Sequence, residues 1–285
     1  MKIVNTLPEL RAARKRLPET VGLVPTMGFL HEGHLSLVRA AKKECACVVV
    51  SIFVNPTQFG PNEDLAAYPR DLERDIKLLE AEHVDLVWAP TPEVMYPADF
   101  QTWVNVEEIT KPLEGEMRPG HFRGVTTVVA KLFNSVMPQR AYFGQKDAQQ
   151  AAVIRQMVRD LNFPIEIVIC PIVREPDGLA LSSRNTYLNS EERRAALVLS
   201  RSLKAAHEAY ENGQTDANEL RKIVTDIVAA EPLAKLQYVS CAAPETLTEI
   251  EGAITNGALI SMAVYVGKTR LIDNMLISAD QPVLA

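Results

Sequence analysis

The chain has 285 residues, 47% of them hydrophobic and 23% charged, an ordinary globular composition that excludes intrinsic disorder and collagen-like repetition. Its length predicts about two domains. Lysine and arginine total 30 against 36 aspartates and glutamates; the net charge of −6 excludes a broad nucleic-acid surface but leaves room for a small anion held by a few local cations.

At the amino end, Met1 to Pro18 carries Lys2, Arg11, Arg14, Lys15 and Arg16 without the apolar stretch of a signal peptide. Val21 to Pro25 predicts a short strand that ends in Thr26-Met27-Gly28, and Leu35, Val38 and Ala41 then recur at helical spacing. Cys47 to Val54 is β-branched and continuously apolar, the pattern of a strand covered on both faces. Extended back to Cys45 it is the densest apolar run, about half of the ~20 residues a membrane helix needs, so no membrane contact is expected. Leu72 to Glu82 predicts a helix and Val84 to Trp88 a third strand. Val125, Val128, Val129, Leu132, Phe133 and Val136 form a helical stripe closed by Pro138. Ala141 to Phe143 reads as strand, Asp147 opens a helix faced by Ile154, Met157, Val158 and Leu161, and Ile165 to Val173 is strand again. The alternation predicts an α/β fold, a Rossmann-like doubly wound parallel sheet over residues 1–186.

Beyond residue 187 the pattern changes. Ala196, Leu199, Leu203, Ala206 and Tyr210 stripe one helix; Leu220, Ile223, Val224, Ile227 and Val228 stripe the next, with Asn212-Gly213 as the stop between them. From Leu236 short strands alternate with turns at Asn256-Gly257 and Gly267-Lys268, which predicts a smaller α+β domain over 187–285. Gly267-Lys268-Thr269 resembles the end of a phosphate-binding loop, but Met262 replaces its first glycine, so a hairpin turn is expected. Cys45, Cys47, Cys170 and Cys241 are too few for a disulfide framework and predict a reduced, cytoplasmic protein. The Asn55-Pro56-Thr57 sequon is disqualified by its proline.

Four turns carry the chemistry. Pro25 to His34 joins the first predicted strand to its helix, at the carboxyl end of a strand where doubly wound sheets bind ligands. The helix start offers N–H groups to an anion, Gly33 permits close approach, and His31 and His34, three apart, can face the same anion. The glycine spacing does not make a dinucleotide fingerprint, nor the histidine spacing a zinc-protease motif. Phe143 to Asp147 is a second strand-to-helix turn, with Lys146 suited to phosphate; Asp147 and Gln150 read equally as a capping box or as ligand contacts. Ser182-Ser183-Arg184-Asn185 offers hydroxyls and a guanidinium fork. Asn55 and Gln58, between Phe53 and Phe59, suit a small polar organic ligand. Gly120 to Gly124 is placed at the mouth of the crevice.

Pro-Thr-Met-Gly-x-Leu-His-x-Gly-His (25–34), Ser-Ile-Phe-Val-Asn-Pro-x-Gln-Phe (51–59), Tyr-Pro-Arg (68–70), Gly-His-Phe-Arg-Gly-Val (120–125), Phe-Gly-x-Lys-Asp-x-Gln-Gln (143–150) and Asp-Gly-Leu-Ala-x-Ser-Ser-Arg-Asn (177–185) stand in an order that closely resembles the pantothenate synthetase family, within the His-x-Gly-His nucleotidyltransferases. Arg270 to Asn274 also fits. The resemblance implies an ATP-dependent ligase joining (R)-pantoate to β-alanine through a pantoyl adenylate, with AMP and pyrophosphate released. It implies ATP contacts from Met27, Gly28, Phe29, Leu30, His31, Glu32, Gly33 and His34, from Gly144, Gln145, Lys146 and Asp147, and from Val173, Leu181, Ser182, Ser183 and Arg184. His34, His31, Lys146 and Arg184 would act on the phosphates; Gln58, Gln150 and Asn55 would serve pantoate and β-alanine. A homodimer, Mg²⁺ with Asp75 as a contact, and a small domain closing over the site are implied in the same way. Two departures stand out: Gln145 replaces a more usual glutamate, and Arg74 adjoins Asp75. A relative using another acceptor, or a nucleotide sensor without turnover, are the rival readings; a phosphorylated acceptor would want cations where Asn55 and Gln58 stand.

Overall fold

The computed structural model describes residues 1–61 and 63–278. By its internal packing the chain forms two compact units: residues 1–145 with 149–171, and residues 172 onward with 146–148.

The first unit contains, in order, β1 (Lys2–Val4), α1 (Leu7–Arg14), β2 (Val21–Thr26), α2 (Glu32–Glu44), β3 (Cys47–Ile52), α3 (Leu72–Ala81), β4 (Leu86–Trp88), α4 (Pro92–Met95), α5 (Glu114–Met117), α6 (His121–Val136), β5 (Arg140–Gly144), nearly all of α7 (Ala148–Asp160) and β6 (Glu166–Cys170). All ladders are parallel, in the order β1-β4-β3-β2-β5-β6. The alternation along β3 explains why, Ser51 apart, it reads as apolar on both faces. Cys47 and Val49 enter the core with α1 and α6, whereas Val48 and Val50 enter the core with α2 and α3. A strand buried on both faces has no polar side to show.

From β2 the chain builds outward to β3 and β4 on one side, then returns to place β5 and β6 on the other. The order therefore reverses between β2 and β5. Their ladder spans only Gly22–Leu23 against Arg140–Ala141, although β2 continues to Thr26 and β5 to Gly144. Pro25, with no N–H to give, lies past the end of that ladder. Such a reversal is where open α/β sheets leave a ligand crevice.

Sequence and structure differ at the margins. The edge strand β1 carries no sequence signal of its own, because three residues cannot display a period; the eight-residue α1 does carry one, a Thr6–Glu9 capping box with Pro8 in its first turn, which apolar periodicity passes over. The helix of the Val125 stripe starts earlier than the stripe does: α6 begins at His121, after Gly120 turns the chain through a positive φ of 84°.

The second unit packs α9 (Leu197–Glu211) and α10 (Ala217–Ala229), preceded by the short α8 (Ser190–Ala195), onto the antiparallel sheet β7 (Ala234–Ala242), β8 (Ala258–Val266) and β9 (Thr269–Ile277). Val266 pairs with Thr269, so Gly267-Lys268 is a two-residue hairpin turn, as expected. The packing boundary falls at residue 172 rather than 187. Leu179 belongs to this unit's core, and Arg174 is ion-paired to Asp273 of β9, so 172–186 is tied to the smaller unit by contacts that local pattern does not reveal. The four cysteines are free thiols. Among the described residues no helix is long and apolar enough to cross a membrane.

Candidate active site

The Met27–His34 turn follows β2 at the switch point. Gly28 has a φ of +83° and Phe29 of +49°, two successive residues in the left-handed region. That conformation costs a non-glycine residue of order 1 kcal/mol or more, so something must hold it. The holder is the first turn of α3. Asp75, 1% exposed, accepts hydrogen bonds from Phe29 N and Leu30 N, both at 2.7 Å. Arg74 donates to Leu30 O at 2.9 Å and lays its guanidinium over the Phe29 ring. Burial pushes the Asp75 carboxyl above its ordinary pKa, against the pull of the two N–H groups. A Cβ on Gly28 would meet Asp75 Oδ2 and the Ile52 side chain, each at 3.1 Å. Asp75 is thus committed to shaping the turn, in place of the magnesium contact expected for it.

The turn delivers the chain into α2. Glu32 and Gly33 begin the helix, and their N–H groups have no protein acceptor among the described residues. A helix start with open N–H groups suits an anion. The Glu32 side chain points elsewhere, to an exposed ion pair with Arg39. The His31 and His34 rings lie 4.0 Å apart between centroids. His31 N donates to His34 Nδ1 at 3.3 Å, which assigns the proton of a neutral His34 ring to Nε2. Nε2 then carries the ring's N–H.

The segment after β3 is joined to this turn through one residue. Gln58 ends a 3-10 turn (Pro56–Gln58); its Nε2 contacts Met27 Sδ at 3.2 Å, and its Oε1 accepts from Asn55 Nδ2 at 3.1 Å. A thioether is a weak acceptor. The Gln58 amide is therefore turned with its NH₂ toward Met27, an acceptor too weak to consume its donor capacity. Asn55, expected among the substrate contacts, takes a different task. It is 1% exposed, its Oδ1 accepts from the Tyr96 hydroxyl and Thr57 Oγ1, both at 2.9 Å, and its Nδ2 also donates to Gly124 O. Asn55 orients Gln58 and has no reach left.

Below Gln58 sits a buried polar group that the sequence reading placed only loosely. His121 Nδ1 donates to Gln58 O at 2.8 Å, and Arg118 donates to His121 Nε2 at 3.2 Å while holding Glu63 at 2.9 and 2.6 Å. Burial, then the neighbouring Arg118, pulls the His121 pKa down to about 4, so the ring is neutral with its proton on Nδ1. Helix α6 presses on the same turn: a Cβ on Gly124 would lie 2.4 Å from Thr57 O. Tyr96, Arg118 and Glu63 have no local signal in the sequence, because each acts through a partner dozens of residues away.

Gln149 and Gln150 part company on α7. Gln149, 7% exposed, accepts from Glu114 N and donates to the carbonyls of Ile109 and Pro112. Gln150 is half-buried, and neither it nor Asp147 makes a side-chain hydrogen bond among the described residues, so the capping box is absent.

Gly144 and Gln145 belong to the first unit, Lys146 and Asp147 to the second. There Leu181 N donates to Val173 O at 3.0 Å, which sets Val173 and Leu181 side by side. Ser182 caps the 3-10 turn Ser183–Tyr187 by accepting from Arg184 N, and Ser183 is buried. Lys146 is fixed at its base, where Asn274 Nδ2 donates to Lys146 O at 2.9 Å.

Fold and turn together define an α/β enzyme with its ligand crevice at the switch point of a parallel sheet. Comparison with known proteins makes this specific. The family model described as pantoate-beta-alanine ligase matches residues 2–276. A pantothenate synthetase from Herpetosiphon aurantiacus is 60% identical over 276 residues, 97% of this chain and 100% of that protein. The crystal structure of pantothenate synthetase from Thermus thermophilus superposes with a TM-score of 0.92 at 51% identity, over 96% of this chain and 99% of that one. A pantoate-beta-alanine ligase from Francisella tularensis, complexed with beta-gamma ATP and beta-alanine, gives 0.80 at 38% identity over 97% of each chain. The chain belongs to the pantoate-beta-alanine ligase family, and it is an enzyme.

Proposed function

We propose that the protein condenses (R)-pantoate with β-alanine, using ATP and releasing AMP and pyrophosphate, as part of pantothenate synthesis in the cytoplasm. The observation that carries this reading is the pairing of an anion-ready helix start with the donor amide of Gln58, joined through the Met27 contact. One half suits a polyphosphate and the other a small hydroxy acid. A rival acceptor carrying phosphate fits poorly, because the amides of Asn55 and Gln58 bring no cation.

In the first step a pantoate carboxylate oxygen attacks the α-phosphorus of ATP. The new P–O bond forms as the bond to the β-phosphate oxygen breaks, and the electron pair leaves with pyrophosphate. Such a transfer needs positioning and charge neutralisation more than covalent help. The N–H groups of Glu32 and Gly33 and the Nε2–H of His34 receive phosphate oxygens, with His31 beside them; Lys146, Ser182, Ser183 and Arg184 supply the remaining donors. Val173 and Leu181 frame the nucleoside. In the second step the β-alanine amine attacks the pantoyl carbonyl, AMP leaves with the electron pair of the acyl–oxygen bond, and the amine sheds a proton to solvent. Gln58 and Gln150 hold pantoate throughout.

Magnesium enters this reading as part of the nucleotide substrate. Asp75 is spent on two backbone N–H groups, and among the described residues no cluster of three or more His, Cys, Asp or Glu side chains suits a metal. Phosphate oxygens and water suffice for Mg²⁺. A homodimer completes the reading; sedimentation at micromolar concentration tests it, and a monomer refutes it.

The decisive experiment is pyrophosphate exchange. Labelled pyrophosphate should enter ATP when pantoate is present and β-alanine absent, because the adenylate needs only the first two substrates. Exchange that strictly requires β-alanine overturns the two-step reaction.

A further inference from the structure

Strand β9 lies at the edge of its sheet, yet two consecutive polar residues on it, Asp273 and Asn274, are each only 2% exposed. Neighbouring residues on a strand face opposite ways, so burial of both on an edge strand means that other chain segments cover it. The covering contacts are specific. Asp273 receives the Arg174 guanidinium in a two-pronged pair at 2.7 and 2.9 Å, and its Oδ1 also accepts from Asn274 N at 2.8 Å. Asn274 Nδ2 donates to Lys146 O at 2.9 Å. One dipeptide thereby holds the base of Lys146 and, through Arg174, the strand-like stretch that begins at Val173. The bond to Lys146 closes a span of 128 residues.

We propose that Asn274 is a positioning residue for adenylation: it fixes the main chain of Lys146 so that the ammonium group meets the phosphates, while Asp273 locks Asn274 and Arg174 into one block. A lysine side chain has a flexible four-carbon stem, so its reach is set by where its Cα stands and how its carbonyl is oriented. Anchoring that carbonyl to a buried strand limits the volume its ammonium searches. A displacement of about 1 Å at such a group costs up to roughly 100-fold in rate. The inference rests on the phosphate role assigned above to Lys146.

The test measures pyrophosphate exchange in full-length Asn274→Leu, which keeps the side chain's shape and removes its donor, and in Asn274→Ala, Lys146→Ala and the double variant Lys146→Ala/Asn274→Leu. Melting temperature is recorded for each. Asn274→Leu should lower kcat for exchange by about tenfold or more with KM for pantoate unchanged. In the Lys146→Ala background the same substitution should change exchange by less than about twofold, since the group it positions is gone. A merely structural amide would lower the melting temperature and cost the same factor in both backgrounds, which overturns the proposal. Should Asn274→Leu fold poorly, Asn274→Ala supplies the same comparison. Exchange at the parental rate in Lys146→Ala removes the phosphate role of Lys146 itself, a result distinct from failure of Asn274 alone.

Discussion

Replacing Asp75 by Asn separates two tasks for one carboxylate. In the native turn both oxygens accept backbone N–H groups, from Phe29 and Leu30, at 2.7 Å. Hydrogen bonds to a charged partner contribute about 1.5–3 kcal/mol each, and a buried N–H left without an acceptor costs about 1–3 kcal/mol. An amide at position 75 keeps one oxygen and turns an NH₂ toward the other N–H, so one bond is lost and the second loses its charge. Relief of the buried charge, which in the native protein pushes the Asp75 pKa up, offsets part of this. The net expectation is a loss of about 2 kcal/mol, a melting temperature of the first unit lower by roughly 4–8 °C. Because the turn between Gly28 and Leu30 sets the direction in which α2 begins, pyrophosphate exchange should also fall, by about tenfold for each 1.4 kcal/mol of lost transition-state binding. The assay pairs calorimetry with exchange measured over a range of Mg²⁺ at saturating ATP. A turn clamp gives lower stability, lower exchange and an unaltered Mg²⁺ dependence. Unaltered stability with a raised Mg²⁺ requirement would refute the clamp and restore Asp75 as a metal contact.

Gln150→Ala should leave the melting temperature in place, since no capping bond exists to lose, while kcat/KM for pantoate falls about tenfold per 1.4 kcal/mol and KM for ATP holds; unaltered pantoate kinetics would remove Gln150 from the site. His121 titrates near 4 when folded and near 6.5 when unfolded, so the unfolded chain gains a proton first on acidification. Its contribution is complete above about pH 6.5 and is lost as the pH falls toward 4, by about 3 kcal/mol in all. Urea midpoints for His121→Asn, which keeps a donor near Nδ1, should fall less steeply over that window, and an equal slope counts against a neutral buried imidazole. Gly124→Ala would set a methyl 2.4 Å from Thr57 O, so the Gln58 turn must shift and kcat/KM for pantoate should drop up to about 100-fold. Parental kinetics in that variant would show that the turn tolerates displacement.

Local physics made much of the molecule readable in one dimension. Strand β3 declares itself by apolar residues on both parities, α6 by its 3.6-residue stripe, and the β8–β9 turn by Gly267-Lys268. The order of six short motifs likewise carried the family, because each motif is continuous in sequence. Tertiary structure decided what each polar side chain in those turns does. Asn55 and Gln58 look alike in sequence, but the Tyr96 hydroxyl and Gly124 carbonyl consume the first, whereas the NH₂ of the second meets only the weak acceptor Met27 Sδ. Asp75 lies 46 residues from the Phe29 N–H that it holds, and Asn274 lies 128 from the carbonyl of Lys146. Periodicity and turn chemistry are short-range and repeat within a few residues, so they are legible along the chain. A carboxylate or amide chooses its partner only when packing removes water from around it, and that choice is made between segments that nothing in the local sequence relates.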